Sequence, residues 1–388
     1  MGTGKNIGTR VVRTARVLPF GDGVPVVPPL VQSVAFDHAS FAAQDRVFAG
    51  ERDGFVYGRY GTPTTGALES ALAEFEGTAT ATCFTSGMAA INAFLSSCEG
   101  PIVAQEDCYG ATRAVLERRG SVTFVDPTDH GAVGAALDAS GARVLYAEII
   151  SNPLLRVADV AALATIAHGR KARLVIDATL ATPALLAPAS LGADVVIHSL
   201  TKYINGHGDV MGGSVCGSED LGAEMRERTI LDGAYLPPHD AWLVIRGMRT
   251  LGLRMARHCD SALAVATHLA GHPKVARVRY PGLAGHAEHD LACRQFDGRF
   301  GGMVSFALLA DDVAAAGRFL DALELAASAT TLGDLFTEVM HPATASHRRL
   351  APGERARLGI GDGFIRISVG IEDPSDIIGD LDKALSAV

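Results

Sequence analysis

From about residue 76 to about residue 215, short apolar runs alternate with amphipathic stretches, and no other feature of the chain restricts its fold as much. Val144–Ile150, Arg173–Thr179 and Asp194–His198 read as buried strands, with Ala158–His168 helical between the first two. That alternation is the pattern of βαβ units and a mostly parallel sheet, so the class is α/β. In such a sheet functional side chains belong at the carboxyl ends of the strands. Upstream, Thr65–Glu76 has helical spacing, with Leu68, Leu72 and Phe75 on one face.

Beyond residue 240 the pattern changes. A long amphipathic stretch, Ala241–His272, precedes Pro273, followed by a strand-like Met303–Leu308, a helix-like Val313–Leu323 and a strand-like Phe364–Val369. These read as a smaller α+β domain. Residues 1 to about 50 carry little periodicity and hold a Gly/Pro-rich stretch, Gly21 to Pro29, so they read as an extended arm that must pack on something. The organisation expected is an arm over 1–50, a large domain over 51–245 and a small domain over 246–388.

Composition removes several classes of function. The net charge is −9 and no basic run stands out, which argues against nucleic-acid binding. Hydrophobic residues at 48% and charged residues at 20% suit a soluble globular protein. Cys83, Cys98, Cys108, Cys216, Cys259 and Cys293 form no C-x-x-C pair, so neither a zinc site nor a disulfide framework is suggested and a reducing compartment is the simplest reading. Lys5, Arg10 and Arg13 precede no apolar signal region, and no uncharged apolar run reaches about 18 residues, so a cytoplasmic protein without a membrane span is expected. His207 and Asp209 sit close together, but no third ligand follows at helical spacing, and loop roles are expected for both.

Three segments carry chemistry. Lys202 lies just past the apolar run Val195-Val196-Ile197, where an ammonium can lose part of its proton affinity and serve as a nucleophile for a Schiff base; taken alone it is more often a solvated loop lysine. Leu174-Val175-Ile176 ends in Asp177, well placed to hold a protonated pyridine nitrogen, although a turn or N-cap aspartate is the ordinary alternative. Ser86-Gly87-Met88 opens an apolar helix whose first amides could bind a phosphate or simply start the helix. Together they suggest an enzyme that uses pyridoxal 5'-phosphate.

The motif strings go further. Tyr57-Gly58-Arg59-Tyr60-Gly61-Thr62-Pro63-Thr64, Ser86-Gly87-Met88, Ser151-Asn152-Pro153, the stretch from Leu191 through Ser199-Leu200-Thr201-Lys202-Tyr203 to Gly212-Gly213, and Ile365 through Arg366 to Asp373 occur in order. Over nearly its whole length the chain resembles the Cys/Met-metabolism enzymes: cystathionine γ-synthase above all, cystathionine γ- and β-lyases, methionine γ-lyase and the O-acetylhomoserine sulfhydrylases.

The resemblance implies a fold-type I, aspartate-aminotransferase-like transferase. By it, Lys202 is the lysine that carries pyridoxal 5'-phosphate, Asp177 is the partner of the ring nitrogen, and Gly87, Met88, Ser199 and Thr201 are phosphate ligands. Tyr57 and Arg59 match positions that reach the phosphate of a neighbouring subunit, which makes the arm a dimer clasp and implies a homodimer, usually a pair of dimers. Tyr109 matches the ring that stacks on the cofactor and moves protons, Asn152 the contact to its phenolic oxygen, and Arg366 the fork for the substrate α-carboxylate. Tyr57, Thr330 and Thr331 fall on the substrate side.

The implied reaction is γ-replacement on an O-activated homoserine, through a vinylglycine-type intermediate. A γ-lyase releasing 2-oxobutanoate and ammonia is the nearest alternative, and a non-catalytic binding homologue a remote one. The strings at Tyr57–Gly61, Asp107–Tyr109 and Ile245–Leu251 favour the synthase, as does Ala111 where methionine γ-lyases carry Cys; Asp334 points the other way. Ala178, Leu180, Thr62, Thr330 and Thr331 depart from the family pattern and approach the substrate side, so the leaving group or acceptor can be unusual.

Overall fold

The computed structural model describes residues 6–15 and 23–388. Among the described residues twelve strands form two sheets. The larger contains β1 (Thr80–Phe84), β2 (Ile102–Gln105), β3 (Val122–Val125), β4 (Val144–Glu148), β5 (Arg173–Asp177), β6 (Val195–Ser199) and β7 (Gly213–Gly217), in the order β1-β7-β6-β5-β4-β2-β3. The run from β3 to β6 is parallel throughout, and β7 is inserted antiparallel between β1 and β6.

Both faces of this sheet are covered, which explains why its strands read as continuous apolar runs. Side chains alternate between the faces. Leu145, Leu174, Ile176 and Val196 join one core with Leu68, Leu72 and Phe75 of the helix Pro63–Glu76. Tyr146, Val175, Val195 and Ile197 join a second core with Ile91 and Phe94 of the helix Gly87–Ser97.

The smaller sheet contains β8 (Val275–Arg279), β9 (Met303–Leu308), β10 (Ala327–Ser328), β11 (Glu338–Met340) and β12 (Phe364–Ser368), ordered β10-β11-β12-β9-β8. Only its β10–β11 pairing is parallel. Phe306, Ile365 and Ile367 pack there with Phe319, Ile377 and Leu381 from the helices Val313–Asp321 and Pro374–Ser386.

Two expectations need correction. The amphipathic stretch over 241–272 is two helices, Pro238–Met248 and Leu251–Ala270. The break arises because the Gly247 carbonyl is occupied by the Thr250 amide, the Thr250 hydroxyl and Arg254 Nη2, at 3.1, 3.0 and 2.9 Å. The arm over 1–50 is not wholly extended, since it includes the helices Ile7–Arg13 and Phe41–Phe48, capped by the side chains of Asn6 and Ser40. Phe41–Phe48 buries none of its residues within this chain, and its two turns are too short to stand out as a periodic pattern in sequence. Residues 1–5 and 16–22, including the start of the Gly/Pro-rich stretch at Gly21, lie outside the described residues. Among the described residues no helix is long and apolar enough to cross a membrane.

The turn after β6 is fastened to the helix pair by Arg254. This buried guanidinium donates to the carbonyls of Tyr203 (2.6 Å), Ile204 (3.1 Å) and Gly247, and to the Thr250 hydroxyl (3.0 Å). Gly206 follows with φ +69°, and a Cβ there would lie 1.9 Å from Arg254 Nη1, so the clamp requires glycine on both counts. Replacing Arg254 by Ala leaves the Tyr203 and Ile204 carbonyls without their donor, while Gly247 keeps its bonds from Thr250, and urea unfolding is expected to register a loss of about 3–5 kcal/mol. Arg254→Lys, which keeps the charge without the fork, should recover less than half of it.

Candidate active site

The carboxyl ends of β4, β5 and β6 open into a cavity of about 230 Å³ whose wall includes Glu148, Asp177, Ser199, Lys202 and Arg366. Glu148 and Asp177 are register partners on neighbouring strands, so two carboxylates are buried side by side. Burial drives both carboxyls upward in pKa, Glu148 well above its ordinary range, and the charge of Asp177 adds to the effect on Glu148. Glu148 acts as a brace, accepting the amides of Tyr109 (2.6 Å) and Asn152 (3.1 Å). Asp177 accepts from the Thr179 amide at 3.0 Å and the Tyr146 hydroxyl at 3.3 Å, both neutral donors.

At one end of the cavity the helix Gly87–Ser97 begins, with the Ser86 hydroxyl accepting the Ala89 amide at 3.1 Å. The amides of Gly87 and Met88 have no acceptor within the helix, and the dipole adds partial positive charge there. Ser199 and Thr201 face this end, the Thr201 hydroxyl bridging both main-chain groups of Gly212. The backbones approach so closely that a Cβ on Gly87 would lie 2.7 Å from Ser199 Cβ, and one on Gly213 2.2 Å from the Ser86 carbonyl oxygen.

At the other end, the Lys202 amine donates to Thr331 Oγ1 at 2.7 Å. Burial, reinforced by the Arg366 charge, lowers its pKa. Arg366 is 2% exposed, and its fork reaches the Thr331 carbonyl at 2.7 Å and Asn152 Oδ1 at 3.3 Å. Burial lowers its pKa to about 10, which leaves it a cation at neutral pH. Tyr109 stands on the wall, 39% exposed, and Thr330 lines the same space.

The structure therefore brings together Gly87, Met88, Tyr109, Asn152, Asp177, Ser199, Thr201, Lys202, Thr330 and Arg366 on one wall, with Thr331 bonded to Lys202. It does not bring Tyr57 or Arg59 there. Arg59 stacks at 5.5 and 5.4 Å from the ring centres of Tyr57 and Tyr60 and donates to the Ile230 carbonyl, away from this chain's cavity. His207 and Asp209 both bond to Asn205, a loop arrangement. Sequence reasoning missed Glu148 and Thr179; the clue to Glu148 was a second apolar strand ending in a carboxylate, one strand away from Asp177.

The family model described as Cys/Met metabolism PLP-dependent enzyme matches residues 12–386. The chain belongs to this family. It is 40% identical over 379 residues to an L-methionine γ-lyase of Pseudomonas putida, covering 95% of this chain and 94% of that protein. It is 42% identical over 361 residues to a cystathionine γ-synthase of Mycobacterium bovis, covering 89% and 90%. The crystal structure of a cystathionine γ-lyase from Micromonospora echinospora superposes with a TM-score of 0.92 at 37% identity, over 99% of this chain and all of that one. The fold is accordingly fold-type I, and the family places the chain among pyridoxal-phosphate enzymes that make or break carbon–sulfur bonds.

The cavity fits that cofactor. Glycine-lined backbone beside a helix start offers a cradle that no other side chain could enter, and Asp177 is a buried acid bonded by neutral donors, suited to a cationic ring nitrogen. Gly213→Ala would push the Ser86 carbonyl out of its position and open the cradle. Titration of the resolved apoenzyme with pyridoxal phosphate is expected to show at least about tenfold weaker binding, with a modest loss of stability of about 1–3 kcal/mol.

Proposed function

We propose that the chain performs γ-replacement on an O-activated homoserine, expelling the γ-oxygen substituent and joining a thiol to Cγ, in the manner of a cystathionine γ-synthase. The observation that carries this reading is the Lys202–Thr331–Arg366 bracket, in which one residue positions a proton-accepting amine through its hydroxyl and a carboxylate-binding fork through its carbonyl. Bound pyridoxal phosphate supplies an electron sink for negative charge at the substrate Cα.

The residues divide the remaining work. Arg366 exchanges its contacts with Thr331 and Asn152 for the α-carboxylate of the substrate, which fixes Cα and Cβ relative to Lys202. The lowered pKa of Lys202 favours the amine form, which would take a proton from Cα, give that proton up to the bound cofactor, and so return as a free amine able to take one from Cβ. γ-Chemistry needs a base that serves both carbons, and the Thr331 hydroxyl keeps the amine on the substrate side. Tyr109, held at its amide by Glu148, limits water at the wall and can relay a proton.

The motif strings at Tyr57–Gly61 and Ile245–Leu251 and the cystathionine γ-synthase relative support replacement. γ-Elimination is the second reading, favoured by Asp334 and by the methionine γ-lyase relative. Purified enzyme given O-succinyl- or O-phosphohomoserine separates them. Cysteine is expected to divert carbon from 2-oxobutanoate into a thioether; undiminished 2-oxobutanoate with no thioether would sink the replacement reading.

We read the protein as a homodimer, paired into a tetramer, in which Tyr57 and Arg59 serve the neighbouring cavity. Their distance from their own cavity and the exposed apolar residues Val26, Val34, Phe41 and Phe48 of the arm support this. Mixing inactive Arg59→Ala and Lys202→Ala subunits should restore about a quarter of the parental activity, because half of the random dimers then hold one intact site. No recovery after verified subunit exchange would place Arg59 outside the neighbour's site.

A further inference from the structure

β11 begins with Glu338, which is 0% exposed and has no hydrogen-bond partner on either carboxylate oxygen. Its register partner on β12 is Ser368, two residues from Arg366 and so on the same face of that strand. Four charged or titratable groups act on it. Arg366 comes from β12, Lys202 and Tyr203 from the turn after β6, and Asp334 from the segment before β11. Arg366 Nε and the Tyr203 hydroxyl are likewise buried without a partner.

A carboxylate retained for structure carries hydrogen bonds. Glu148 accepts two main-chain amides, and Glu69 accepts the Cys83 amide and pairs with Arg226. Glu338 accepts none, so what it gives its surroundings is charge, in a place where charge is little screened. Burial and the nearby Asp334 push its carboxyl up to about 7, while Lys202 and Arg366 pull it down. Glu338 does not line the cavity, and any effect on the reaction passes through Lys202 and Arg366.

We propose that Glu338 is a positioning residue that supplies a variable counter-charge to Lys202 and Arg366. Ionised, it balances the Lys202 ammonium beside the Arg366 guanidinium; protonated, it accompanies the neutral amine. One proton then moves within the cluster without a net change in its charge. The sign follows: removing the carboxylate leaves Arg366 less opposed, and the Lys202 nitrogen holds its proton less tightly. This holds for either γ-reaction, since it concerns the lysine before any substrate is chosen.

The test is a pH titration of the visible absorbance band of the holoenzyme, whose midpoint reports the proton on the Lys202 nitrogen. Glu338→Gln and Glu338→Met are both expected to lower that midpoint by about one pH unit, a tenfold loss of proton affinity. Glu338→Asp, which keeps the charge, should lie within about half of that shift. If the Gln variant fails to fold, the Met variant reads the same quantity, since an apolar side chain of similar volume removes a buried, unbonded carboxylate. The limb of the kcat/KM profile that reports the free enzyme's lysine should move with the midpoint, while kcat at its pH optimum changes less than about twofold. A parental midpoint in folded variants that retain the band would overturn the proposal and leave Glu338 as packing.

Discussion

The site depends on one hydrogen-bonded bracket between the two sheets. Lys202 belongs to the turn that follows β6 of the large sheet, Arg366 lies within β12 of the small one, and Thr331 holds both. Neither sheet alone would bring the Lys202 amine beside the Arg366 guanidinium. The bracket is stiff because its ends are anchored elsewhere: Arg254 clamps the turn through the Tyr203 and Ile204 carbonyls, and β12 is paired along both edges. Rigid support of this kind keeps reacting groups within the small tolerance that catalysis demands.

Around that bracket the chain accepts an unusual density of buried charge. Glu148, Asp177, Glu338 and Arg366 are all nearly or wholly removed from solvent. Isolated, each would be strongly disfavoured. The structure treats them differently. Glu148 is satisfied by amides and fixes the Tyr109 and Asn152 segments, whereas Asp177 has neutral donors and an affinity for a cation still to be met. A cofactor with a protonated ring nitrogen meets that need, which couples its binding to the stability of the large sheet.

Much of this was legible in the sequence, and the reasons are physical. β4, β5 and β6 are buried on both faces, so they show as apolar runs, and each ends in a polar residue at the cavity. Strand limits shifted by a residue or two because Ile149 and Ile150 are buried outside the ladder. The helix break at Arg249–Thr250 was hidden because side-chain bonds to the Gly247 carbonyl cause it, and apolar spacing continues across it. Glu338 was hidden for a different reason. One acid in a three-residue strand has no periodicity, and only the fold reveals that its oxygens meet no donor. Tyr57 and Arg59 were legible as motif but have no place in a single chain's cavity, since their proposed partner is another subunit.

Thr331 shows why a conserved apparatus leaves the choice of reaction open. Its carbonyl serves Arg366 and its hydroxyl serves Lys202, so the same residue orients both the guanidinium and the amine. Thr331 is one of the positions at which the chain departs from the family pattern. Beside its hydroxyl Thr carries a methyl group that confines χ1 to fewer rotamers, so the amine gains a more sharply defined direction. Thr330 beside it lines the cavity. Two neighbouring threonines thus act on the amine end of the cavity, one bonded to Lys202 and the other on the wall.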